Sequence, residues 1–166
     1  SNDCLTGAVC GVTIGVSSIE KALPFYKNIL GYDKQLFAGE GNFTDWQGVP
    51  GAQHTFKRVM MGHSRILEGA FSKLLGPTSI ELIEVTDRKS IKIFDNRYWG
   101  DLGFIHVCFD INGFKQHEAI CNQNGFPLTV DSSSSFDMGE AAGHFAYNED
   151  PDGTLIEYVE THRVQI

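Results

Sequence analysis

A chain of 166 residues, 42% of them apolar, suffices for one compact domain or two small half-domains sharing a core, and no apolar run approaches the roughly 18 residues of a membrane span. The net charge of −8, with only 13 Lys and Arg, argues against nucleic acid and anionic membrane surfaces, which need a basic face, and favours a small-molecule substrate. Cys4, Cys10, Cys108 and Cys121 lack C-x-x-C spacing and read as buried thiols of a reducing cytoplasm, and Ser1-Asn2-Asp3 opens no signal-peptide core.

Val9 to Val16 alternates as a strand, with Val12, Ile14 and Val16 on one face and Gly11, Thr13 and Gly15 on the other. Ser17-Ser18-Ile19-Glu20 has the form of a capping box and opens a helix carrying Ile19, Ala22, Leu23, Tyr26 and Leu30, stopped at Gly31. Pro24 inside it predicts a kink or a tight first turn. A strand over 34–38 leads to a long loop, 39–53, where Trp46 lines a pocket or simply packs. A third strand near 55–61 and a short helical insertion within 62–77 precede the strand 80–85.

That strand reads Ile80-Glu81-Leu82-Ile83-Glu84, and Ile156-Glu157-Tyr158-Val159-Glu160 repeats its order of Ile, Glu, two large apolar residues and Glu. Alternation puts Glu81 and Glu157 on faces that are otherwise apolar. A lone ionised carboxylate is costly to bury, so the pair points to a shared cation or a proton-transfer task; the bland reading is an edge strand whose Glu faces water.

The connection from Thr86 to Gly103 carries Arg88, Lys89, Lys92 and Arg97, which either hold an anionic substrate tail or form a solvated link with incidental pairing. A strand then runs from Phe104 to Ile111 with His106 where the first half has Gly11, followed by a helix from Phe114 to Asn124 that stops at Gly125. A strand over 127–130 leads to the serine tip 131–135, and Asp137, Met138 and Glu140 suit a lid by position. Gly143 to Tyr147 is a strand joined to the last one by the turn Asp150-Pro151-Asp152-Gly153.

Two β-α-β-β-β modules, one opening with V-S-S-I-E-K-A-L-P-F-Y-x-x-I-L-G and the other closing with D-P-D-G-T-L-I-E-Y, resemble the vicinal oxygen chelate superfamily of glyoxalases, bleomycin-resistance proteins and dioxygenases. The resemblance implies an α+β fold: two βαβββ modules, 8–86 and 104–162 joined by 87–103, forming an open, cup-shaped eight-stranded mixed sheet with helices on the outside. It places metal-ligand positions at Gly11, Glu81, His106 and Glu157, of which Glu81, His106 and Glu157 carry ligating side chains for a divalent ion such as Zn, Mn, Co or Ni. Glu at both module ends is similar to glyoxalase I. That likeness implies a metal-dependent lyase or isomerase moving a proton beside a carbonyl, with Glu157 or Glu81 as base.

Gly11 opens the alternative of a bleomycin-resistance-like protein that binds or sequesters a small molecule without turnover. His144 is a substitute ligand if the hairpin register turns it inward, whereas His54, His63, His117 and His162 read as surface or loop residues. A homodimer is left open.

Overall fold

The computed structural model describes residues 6–132, 136–137 and 141–164. The first half forms β1 (Gly11–Gly15), α1 (Ile19–Asn28), β2 (Lys34–Gly41), a 3-10 turn (Thr44–Trp46), β3 (Phe56–Gly62), the single-turn α2 (Ser72–Leu75) and β4 (Ser79–Val85). The second forms β5 (His106–Asp110), α3 (Phe114–Gln123), the two-residue strands β6 (Val130–Asp131) and β7 (Phe136–Asp137), then β8 (Ala141–Glu149) and β9 (Leu155–Val164). The serine tip at 133–135 and the lid residues Met138 and Glu140 lie outside the described residues.

Sheet order is β1-β4-β3-β2 in one half and β5-β9-β8-β6 in the other, with β7 also on β8. In each half the first strand lies parallel to the last, Thr13 opposite Glu81 and Cys108 opposite Glu157. The α+β architecture of two modules is as expected. The strands, however, make two hydrogen-bonded sheets rather than one, because no ladder joins β1 to β5.

The repeated pentapeptide explains how each helix is held to its sheet. Alternation sends the second Glu of each repeat to the face opposite the first. Glu84 Oε2 accepts the Ile19 N–H at 2.8 Å, and Glu160 Oε1 accepts those of Gly113 at 2.6 Å and Phe114 at 3.3 Å. Both carboxylates thus satisfy free amides at helix N-termini, where negative charge is also favoured. The expected capping box is not closed as such: Ser18 is the N-cap, accepting from Lys21 N at 3.4 Å, and Glu84 from β4 takes the next amide, Ile19 N. Pro24 lies within α1, which runs through it to Asn28.

One core serves both halves. Ala22, Phe25 and Tyr26 of α1 are fully buried in the same cluster as Leu82 of β4, Cys121 of α3 and Tyr158 of β9. Burying such a large side chain contributes about 2–3 kcal/mol. The turn between β8 and β9 locks onto α1: Asp150 Oδ2 accepts the Tyr26 hydroxyl at 2.7 Å, Asp150 Oδ1 accepts Asp152 N and Thr154 N, and Asp152 Oδ2 accepts Ser17 N at 2.7 Å. Burial, with Asp150 alongside, raises the Tyr26 phenol well above its usual range and keeps it a donor. Among the described cysteines only Cys121 is buried; Cys10 and Cys108 are exposed, and Cys4 is outside the described residues.

Candidate functional site

On β9, Glu157 shares a face with its β8 partner Tyr147 and its β5 partner Cys108, and His106 lies two residues from Cys108 on that same face. The result is a compact cluster. His106 Nε2 is 3.0 Å from Glu157 Oε2, the Tyr147 hydroxyl donates to Glu157 Oε1 at 2.9 Å, and the same hydroxyl lies 3.3 Å from His106 Nδ1. Burial and the neighbouring Glu157 carboxylate raise the Tyr147 phenol, so it remains protonated and able to donate. Desolvation of the sulfur, then Glu157, push the Cys108 thiol up to about 12, which leaves it a neutral thiol rather than a nucleophile.

Glu81, the matching carboxylate, is held differently. Arg58 donates to Glu81 Oε1 through Nε at 2.8 Å and approaches it through a terminal nitrogen at 2.7 Å, while the Thr13 hydroxyl donates to Oε2 at 3.1 Å. The other side of the guanidinium grips Asp45 at 2.8 and 3.0 Å, with Trp46 and Phe43 over its faces at 3.9 and 4.5 Å. Burial opposes the Arg58 charge, and the Asp45 and Glu81 carboxylates outweigh it, holding its pKa above the ordinary value. Trp46 therefore packs on Arg58, Phe43 and Phe56.

Of the expected donors, then, His106 and Glu157 come together, while Glu81 is engaged by Arg58 and Thr13. Gly11 offers no vacant ligand position: a Cβ there would meet Ser79 Oγ at 2.6 Å and its carbonyl oxygen at 3.0 Å. Among the described residues no group of three or more His, Cys, Asp or Glu is arranged to hold an ion. One imidazole and one carboxylate fall short of the three protein ligands usual in catalytic divalent sites, and a guanidinium on Glu81 repels a second cation. This donor set does not fit the superfamily's ion.

His144 faces away from the cluster. It pairs with Glu160 across the strands, bonds Asp131 at 2.6 Å and stacks on Phe114 at 3.8 Å. His54 bonds Asp87, His162 bonds Glu160, and His63 bonds the Gly31 carbonyl against Tyr32. His117 is part-buried on α3: it packs on Tyr158, its Nε2 is buried without a partner among the described residues, and burial lowers its pKa to about 4. Tyr147 and Arg58 were missed from the sequence. A Tyr ten residues before Glu157 across a tight hairpin, and an Arg alternating with Phe56 and Met60 on one face of β3, were the available signals.

Two cavities flank the unbonded seam between β1 and β5, and Val12 and Val107 line both. The smaller, of about 280 Å³, is lined by Thr13 and His106 and walled by the connector at Ser90–Phe94. The larger, of about 550 Å³, is lined by Cys108, Asp110, Phe109 and Tyr32 and by the segment that carries α2. Asp110 Oδ2 accepts Phe71 N at 2.7 Å and fixes that segment; Gly69 lies so close to this carboxylate that any Cβ there would clash with it.

Solved structures share this fold. A glyoxalase family protein from Bacillus cereus superposes with a TM-score of 0.69 at 18% identity, covering 97% of this chain and 98% of its own. A glyoxylase/bleomycin resistance protein/dioxygenase domain from Frankia sp. EAN1pec gives 0.61 at 18% identity, with 95% and 98% covered. A fosfomycin resistance protein from Mesorhizobium loti gives 0.54 at 11% identity, with 93% and 92% covered. The chain has the vicinal oxygen chelate fold. No family model and no curated sequence matches it. No helix among its described residues is long and apolar enough to cross a membrane.

Proposed function

We propose that this vicinal oxygen chelate chain is a lyase or isomerase that moves a proton beside the carbonyl of a small molecule, with Glu157 as base. The observation that carries the reading is the half-buried Glu157 carboxylate, fixed between His106 Nε2 at 3.0 Å and the Tyr147 hydroxyl at 2.9 Å. Such a carboxylate is oriented before substrate arrives, and its two neighbours are placed to pass a proton on or to stabilise the developing oxyanion. His106, which lines the smaller cavity, is the group nearest the substrate. Glu81 is a structural counterion of Arg58 on this reading, and the chemistry uses no ion at that position.

Deuterium uptake from solvent into the carbon beside the carbonyl of 2-oxobutanoate or dihydroxyacetone tests the proposal. The wild-type chain is expected to accelerate exchange, and Glu157→Gln to slow it about a hundredfold or more with an unchanged melting temperature. Equal rates in the two proteins would rule Glu157 out as base.

A second reading, a small-molecule binding protein without turnover, draws on the larger cavity. Its volume of about 550 Å³ lies in the ordinary range for small-ligand pockets, and its lining is largely apolar. Saturable binding without any exchange would favour it.

A further inference from the structure

The smaller cavity also indicates what its occupant carries. Seven of its lining residues are polar, and the side chains of three of them already have protein partners. The Thr13 hydroxyl is turned to Glu81, His106 is held by Glu157 and Tyr147, and Asp152, the one carboxylate in the lining, accepts Ser17 N at 2.7 Å. What remains without a protein partner among the described residues is the Lys92 ammonium and the hydroxyls of Ser17, Ser90 and Thr154. The groups left over are one cation and three hydroxyls, which can donate to an occupant or accept from it, so the ammonium sets the sign of the charge they suit. The amides at the start of α1 do not add to them, because Glu84 and Ser18 already occupy Ile19 N and Lys21 N.

The other connector cations are accounted for elsewhere. Arg88 bonds the Lys89 carbonyl and Arg97 bonds the Leu102 carbonyl, and neither they nor Lys89 line the cavity. Ile91 and Phe104 also line it yet stay 80% and 70% exposed, which leaves an apolar wall uncovered beside the unpaired donors.

We propose that Lys92, with Ser17, Ser90 and Thr154, binds an oxyanion group of the substrate, so that the substrate class is a small carbonyl compound bearing a carboxylate or phosphate and an apolar body. This inference rests on the reading that the His106 cavity holds the substrate. An ammonium gives strong charge-assisted bonds to either oxyanion, and hydroxyls rotate to fit trigonal or tetrahedral groups. In a chain of net charge −8 the surrounding field disfavours anions, so a local cation decides which are admitted.

Calorimetry on the full chain tests the inference with two matched pairs: 2-oxobutanoate against its methyl ester, and dihydroxyacetone phosphate against dihydroxyacetone. At least one anion is expected to bind about tenfold more tightly than its uncharged partner, and the pair showing this identifies carboxylate or phosphate. Lys92→Met removes the preference and Lys92→Arg keeps it, with the uncharged compounds unaffected. Lys92 is exposed, so neither variant is expected to alter folding. Anions binding no better than their neutral partners, or a preference that survives in Lys92→Met, would overturn the inference.

The two readings fail separately. Lys92-dependent binding without deuterium exchange would defeat the proton-transfer chemistry and leave the anion subsite standing. Exchange whose KM is the same for charged and uncharged compounds, and indifferent to Lys92→Met, would do the reverse.

Discussion

Arg58 and Glu81 are each only 8% exposed; Arg58 is the charged partner of Glu81, and the guanidinium is shared between Glu81 and Asp45. Removing one partner of a buried pair strands the other charge away from water, which is far worse than removing both. Arg58→Met is therefore expected to lower unfolding free energy by about 3–5 kcal/mol in denaturant titration, and Arg58→Met with Glu81→Leu to recover most of the loss. Equal destabilisation by the single and double variants would show that the Thr13 hydroxyl and water suffice to hold Glu81 without the guanidinium. Asp45 is a lesser member of the network, since its side chain is 59% exposed and water can replace the guanidinium. Among the described residues of the second half no guanidinium reaches the matching carboxylate; Glu157 meets the His106 ring and the Tyr147 hydroxyl instead.

The two helix caps make the same kind of argument for whole elements. Burial alone would raise the Glu160 carboxyl, but the amides of Gly113 and Phe114 and the ring of His162 bind its ionised form and hold its pKa below the usual value. A carboxylate lowered on folding adds stability that is fully present above its unfolded pKa, about 4.3, and is lost as pH falls through the lower folded one. Glu160→Gln should thus be less stable than wild type at pH 7 by about 1 kcal/mol, the gap closing below about pH 4. A gap that persisted unchanged at pH 3 would mean that Glu160 acts through packing. Each repeat thereby carries one carboxylate for the inner face and one for the helix. Nothing in the pentapeptide itself said that Glu84 and Glu160 were caps, because their targets, Ile19 and Gly113, lie 65 and 47 residues away.

At the scale of the molecule, the two segments that carried the family resemblance touch each other: the opening of α1 and the D-P-D-G turn meet through Tyr26, Asp150, Ser17 and Asp152. Their contact spans the two halves, so the chain is expected to unfold as one unit, with Asp150→Ala lowering the midpoint of a single transition. Two resolved transitions would contradict the shared core. The module order and the strands around Glu81 and Glu157 were legible because period-two alternation and the internal repeat are local. The nearness of His106 and Glu157 was implied by the family resemblance, which also set Glu81 beside them. Tyr147 was hidden by hairpin register, Arg58 by a long-range pairing, and the turn of His144 away from Glu157 by both. On the proposed reading the reactive centre is the Glu157 cluster of the second half. Its most direct test is deuterium exchange into a small carbonyl compound by the chelator-treated chain, comparing Glu157→Gln with the Arg58→Met, Glu81→Leu double variant. The account predicts loss of about a hundredfold or more in the first and a rate within about threefold of wild type in the second. Loss in the double variant with survival in Glu157→Gln would contradict it.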